Sequence, residues 1–215
     1  MSEVFNPRVL EEDLSDVKVD ATDVSTSAIN RVKHWVRMGT TAVSQLASKY
    51  AHETGLGFSA LKSYFSNRRY RVEPIEDGVG GYFSPDDGTL VINSRYAEEN
   101  DPFAMETAYH ETVHNVRHYN GSMENLRKGL YNTFSYLGGF GRSVADYVHR
   151  VYEEIAATRL TQKIYQQMGL GDIRGYPSLQ PRLAQVENTV GEGRLVYNTE
   201  KDAPLIASAV LTALA

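Results

Sequence analysis

The chain has 215 residues, 41% of them hydrophobic and 23% charged, with a formal charge of -5, a pI near 5.7 and a mean hydropathy of -0.40. That length suffices for one sizeable core, and the composition is that of an ordinary globular protein rather than a disordered or membrane one. An acidic balance offers no field for a phosphate backbone, so nucleic acid is not an expected partner. With no cysteine there is no disulfide framework, thiol nucleophile or cysteine-bound metal.

Residues 1 to 24 are rich in acidic and hydroxyl side chains without sustained periodicity and read as a loosely docked lead. The start, Met1-Ser2-Glu3, lacks a basic region followed by an apolar one, so no secretory signal is expected and the chain reads as cytoplasmic. Ser25 to Ser27 offer capping hydroxyls, and Ile29, Val32, Trp35, Val36, Val43, Leu46 and Tyr50 follow at helical spacing. A shorter helical stretch is expected over Phe58 to Phe65. Residues 1–66 are thus expected to form a lead and helical layer over a second unit at 67–215, the two packed as one.

From Tyr70 the pattern turns β-prone. Tyr70, Val72 and Ile75 precede Tyr82 and Phe83, then Asp86-Asp87-Gly88 and the run Thr89-Leu90-Val91-Ile92. Asp-Gly between two such runs signals a hairpin, which predicts a small antiparallel sheet of three strands over about 70 to 93. Asp101-Pro102 then caps a helix over 102 to 119 that stops at Asn120-Gly121. Further helices are expected at 123 to 136, 142 to 168 and 203 to 214. The last is apolar but shorter than the roughly 20 residues that span a bilayer, so no membrane contact is expected. The fold class is α+β, predominantly helical.

The 102–119 helix contains His110-Glu111-Thr112-Val113-His114, the pattern H-E-x-x-H. Residues four apart share one helix face, so both imidazoles can reach a single metal ion. Glu111 beside them is placed to take a proton from a water that zinc acidifies and to pass it to a leaving amine. A catalytic zinc needs three protein ligands and an open position, and without cysteine the third must be a carboxylate or another histidine.

A later helix supplies Tyr152-Glu153-Glu154-Ile155-Ala156-Ala157-Thr158. Glu153 shares a stripe with His149, Ala156, Ala157, Leu160 and Ile164, and a carboxylate on so apolar a face requires a partner. Glu153 is therefore the expected third ligand. Glu154, on a different face, is the alternative. His149, one turn before Glu153, is the expected helper for a developing oxyanion, with Tyr147 and Tyr152 as other donors. His118 lies one turn beyond His114 and is expected near the site or on the surface rather than on the metal.

These residues resemble the gluzincins, the thermolysin-like clan in which H-E-x-x-H on one helix is completed by a glutamate from a later one. The resemblance covers about residues 70 to 165 and is similar in extent to compact members of the clan. It implies a zincin-like fold, a bound Zn2+, a polypeptide substrate and a sheet edge, from 80 to 84 or 89 to 93, that aligns the substrate. The sequence departs from thermolysin around the third ligand, where N-E-x-x-S-D is replaced: Tyr152, Ala156 and Ala157 hold its flanking positions. The metzincin third-histidine position is occupied by Asn120. The competing reading is a catalytically silent zincin-fold binding or structural protein, such as a viral or phage component. Glu111 speaks against it, since a structural metal site has no use for a general base. The sequence gives no reading of oligomeric state.

Overall fold

A computed structural model describes residues 17–49, 69–175 and 178–215. The order of elements is β1 (Lys18–Ala21), α1 (Thr26–Ser48), β2 (Arg69–Glu73), β3 (Gly81–Ser84), β4 (Thr89–Asn93), α2 (Ser94–Glu98), α3 (Pro102–Tyr119), α4 (Ser122–Thr133), α5 (Gly138–Gln167), α6 (Gln180–Val190), α7 (Glu192–Val196) and α8 (Ala203–Leu214). Single 3-10 turns at Ser135–Leu137 and Glu200–Asp202 lead into α5 and α8. The protein is α+β, mostly helical around one small sheet.

The sheet has four strands in the order β1-β2-β4-β3. β1 and β2 run parallel, as do β2 and β4, and only β3 is antiparallel, paired with β4 through the expected hairpin. The three-stranded antiparallel sheet expected from the sequence is therefore corrected to a mixed one. Its extra strand comes from the segment expected to be a loose lead. Val17 is buried, Val19 and Ala21 are half-buried, and Lys18 and Asp20 face solvent, which is the period-two alternation of a strand covered on one side. All five residues of β4, Thr-Leu-Val-Ile-Asn, are buried, as befits a strand flanked on both sides. Among the described residues β1 and β3 form the two edges of the sheet.

α3 lies against β3 and β4 on one side and against α1 and α5 on others. Its ends are set by local chemistry. The Asp101 carboxylate accepts the Phe103 amide at 2.9 Å with Pro102 in the first turn, and Gly121, at φ 78°, ends the helix where a side chain would be strained. The approach of β3 to α3 leaves no room for side chains at its N-terminal end. A methyl on Gly80 would strike the Thr107 hydroxyl and stand 2.9 Å from the Phe103 ring.

α5 is 30 residues long, about 45 Å at 1.5 Å per residue, and begins four residues before the expected start. Ala145, Val148, Tyr152, Ile155, Ala156, Leu160 and Ile164 form its buried stripe. α6 was not expected from the sequence, although Leu183, Val186 and Val190 bury one face at helical spacing. α8 buries Ile206, Ala207 and Val210, as expected of a packed terminal helix. Among the described residues no helix is long and apolar enough to cross a membrane. The helix expected at Phe58 to Phe65 lies outside the described residues.

Candidate metal centre

On α3 the i,i+4 spacing does what the sequence implies. His110 and His114 turn their Nε2 atoms to one point, 3.1 Å apart, with the rings nearly perpendicular at 71°. His114 is buried and His110 is half-buried. The third group at that point is Glu154 of α5, with Oε2 3.3 Å from His110 Nε2 and Oε1 3.5 Å from His114 Nε2. One ligand atom from each of the three residues falls within 4.8 Å of the others.

These spacings fit a metal. Zinc bonds of about 2.0–2.2 Å at tetrahedral angles place neighbouring ligand atoms about 3.3 Å apart, close to the 3.1 Å between the two nitrogens and to the distance from each nitrogen to one Glu154 oxygen, Oε2 for His110 and Oε1 for His114. Two imidazole nitrogens and a carboxylate are also the donor set that zinc accepts while leaving a fourth position open. Glu154 is 63% exposed at its side chain, so the cluster opens to solvent. In the chain alone, hydrogen bonds from His110 and His114 hold the Glu154 carboxyl well below the usual carboxylate range, against some burial.

Glu153, the expected ligand, is elsewhere. Its carboxylate is buried on the inner side of α5, where Arg117 Nε donates to Oε2 at 2.8 Å and Nη2 to Oε1 at 2.7 Å. The apolar stripe did require a partner for this carboxylate, but the partner is a guanidinium from α3 rather than a metal. Burial pushes the Glu153 carboxyl up, yet the Arg117 charge and hydrogen bonds hold it below its ordinary value. The carboxylate that meets His110 and His114 is the next one along, Glu154, at the exposed rim of the helix contact. Arg117, three residues after His114 on the same helix, is the signal that could have drawn Glu153 inward.

His149 follows Glu153 to the inner stripe. Its Nε2 pairs with the Met123 carbonyl at 3.0 Å, which gives it no part in the His110, His114 and Glu154 cluster. Tyr152 is buried and donates its hydroxyl to the Arg194 carbonyl at 2.9 Å, while Tyr147 is half exposed. His118 is exposed and packs on the Phe83 ring at 5.6 Å between centroids, off the cluster.

Glu111 faces β3. The Asn93 amide donates to the Gly80 carbonyl at 2.9 Å, and alternation along an antiparallel ladder then turns the Phe83 amide outward from the sheet. That outward amide bonds the Glu111 carboxyl. Burial pushes Glu111 up to about 7; His110 and the Phe83 amide oppose the rise and the charge on Glu154 adds to it. The site therefore joins three candidate ligands, a carboxyl that titrates near neutrality and an edge strand of the sheet. Comparison with protein-family models, curated proteins and solved structures gives no match, so the functional reading rests on these side chains.

Proposed function

We propose that the chain is a zinc metallopeptidase of the gluzincin type, in which His110, His114 and Glu154 hold the metal and Glu111 is the general base. The observation that carries this reading is the convergence of the two Nε2 atoms and the Glu154 carboxylate at spacings of 3.1, 3.3 and 3.5 Å. Zinc bound there would polarise a scissile carbonyl and lower the pKa of a water at its open position.

The chain's own residues account for the rest. Burial pushes Glu111 up to about 7 in the metal-free chain, and a zinc bound beside it would favour the carboxylate, the form that takes a proton from a nucleophilic water and passes it to a leaving amine. The bond of Glu111 to the Phe83 amide fixes the carboxylate between the candidate ligands and the sheet edge. β3 is an edge strand, the kind of element to which an extended peptide adds, with its Phe83 amide already taken by Glu111. Sheet, motif helix and carboxylate helix in that order also support a zincin-like fold and a polypeptide substrate. The protein is tested by hydrolysis of an unstructured polypeptide with and without added zinc. Cleavage that depends on zinc and is lost in Glu111→Gln agrees with the proposal, and zinc-independent cleavage, or none, counts against it.

A further inference from the structure

Arg117 is fully buried and spends every donor. Besides the two bonds to Glu153, Nη2 donates to Asn198 Oδ1 at 3.0 Å, and Nη1 donates to the Leu195 carbonyl and, at 3.5 Å, to the Arg194 carbonyl. The guanidinium carbon stands 5.5 Å from the centre of the Tyr152 ring. Asn198 in turn donates to the Ser122 carbonyl at 3.2 Å, which ties in the start of α4. One side chain of α3 thus gathers α5, α7 and α4.

Cohesion does not account for this network. α3 and α5 already bury apolar faces that include Val113, Val116, Ile155 and Ala156, and replacing a buried ion pair with apolar groups of similar volume is often neutral or stabilising. A forked arginine–carboxylate pair adds direction: two parallel bonds fix the mutual rotation and axial register of the helices that carry it. The placement gives that direction a use. Arg117 is three residues, about 4.5 Å of helix rise, from His114, and Glu153 immediately precedes Glu154.

We propose that Arg117 and Glu153 are positioning residues for the metal site: their fork sets the register of α5 on α3 so that Glu154 meets His110 and His114. This rests on the zinc reading above. The hydrogen bonds of the fork join Arg117 to Glu153 and act on the candidate ligands through the backbone of the two helices that bear them, beside the electrostatic interaction of Glu153 with His114.

The test measures zinc affinity by competition with a chelating dye, together with the visible spectrum of the cobalt-substituted protein, for the full chain and for Glu153→Gln and Arg117→Lys. Circular dichroism establishes that each variant is folded. Both folded variants are expected to bind zinc about 10–100-fold more weakly, the usual effect of losing a residue that orients a ligand, with altered cobalt bands. Arg117→Lys is not expected to rescue, because an ammonium keeps the charge but loses the fork. Where Glu153→Gln does not fold, Arg117→Met/Glu153→Leu gives the same reading, with both charges removed and the volume kept. Folded variants with wild-type zinc affinity and unchanged cobalt bands overturn the proposal and leave the metallopeptidase reading standing. A wild-type chain that binds no zinc overturns both.

Discussion

Glu153 and Glu154 are neighbours on α5, and the first is buried against Arg117 while the second reaches to within 3.3 Å of His110. A turn of about 100° per residue separates their faces, so one helix supplies both a buried ion pair and an exposed carboxylate beside the two histidines. Glu154→Ala should therefore remove the metal. With zinc at 100 times its dissociation constant the wild-type chain should gain about 2.7 kcal/mol of stability, and the variant should gain none. Thermal unfolding with zinc and with chelator measures both.

Glu111→Gln should separate binding from chemistry. It keeps the three candidate ligands and removes the carboxylate that moves a proton, so zinc stoichiometry should be unchanged while hydrolysis falls by about 10²–10⁴-fold. Parallel metal analysis and single-turnover kinetics check this.

The main features of the fold can be read from the chain because their signals are local. The hairpin declares itself through Asp87-Gly88, and α3 is bounded by Asp101-Pro102 and Asn120-Gly121, residues whose side chains or conformations make those ends. What could not be read depends on pairing across long separations. Lys18–Ala21 joins Arg69–Glu73 in parallel, and a four-residue strand becomes a strand only by that pairing. The site divides in the same way. His110, Glu111 and His114 are fixed relative to one another by a single helix. The choice between Glu153 and Glu154 depends on Arg117, which becomes a partner only once α3 and α5 are packed.

Removing half of the buried fork should be costly. Arg117→Ala leaves the Glu153 carboxylate buried with no cation beside it, for an expected loss of about 3–5 kcal/mol, whereas Arg117→Met/Glu153→Leu should lose much less. Urea unfolding of the chelator-treated proteins separates the two cases without a contribution from metal.

The pH dependence of the metal-free chain should carry two opposed signatures. Glu111, raised from 4.5 to about 7, binds its proton more tightly when folded, so its contribution is full below pH 4.5 and is lost as pH rises to 7. At about 1.4 kcal/mol per unit this is on the order of 3 kcal/mol. Glu153 is held below 4.5, so its contribution is present above pH 4.5 and is lost as pH falls below that value. Denaturant unfolding from pH 3 to 8 should show a maximum near pH 4.5 to 5 from these groups, and Glu111→Gln should flatten the alkaline side.

Gly80→Ala should disturb the sheet edge beside Glu111. The added methyl meets Thr107 and Phe103, and relieving that overlap displaces β3 from α3 at an expected cost of about 1–3 kcal/mol. The Phe83 amide would move with β3. Thermal unfolding checks the stability, and peptide hydrolysis should fall while zinc binding persists.

The most direct measurement is the zinc content of the purified chain beside Glu154→Ala, both offered zinc and then freed of excess. The expected result is a single tightly held zinc per wild-type chain and none in Glu154→Ala. No zinc in the wild-type chain, or full zinc in Glu154→Ala, would contradict the site proposed for His110, His114 and Glu154.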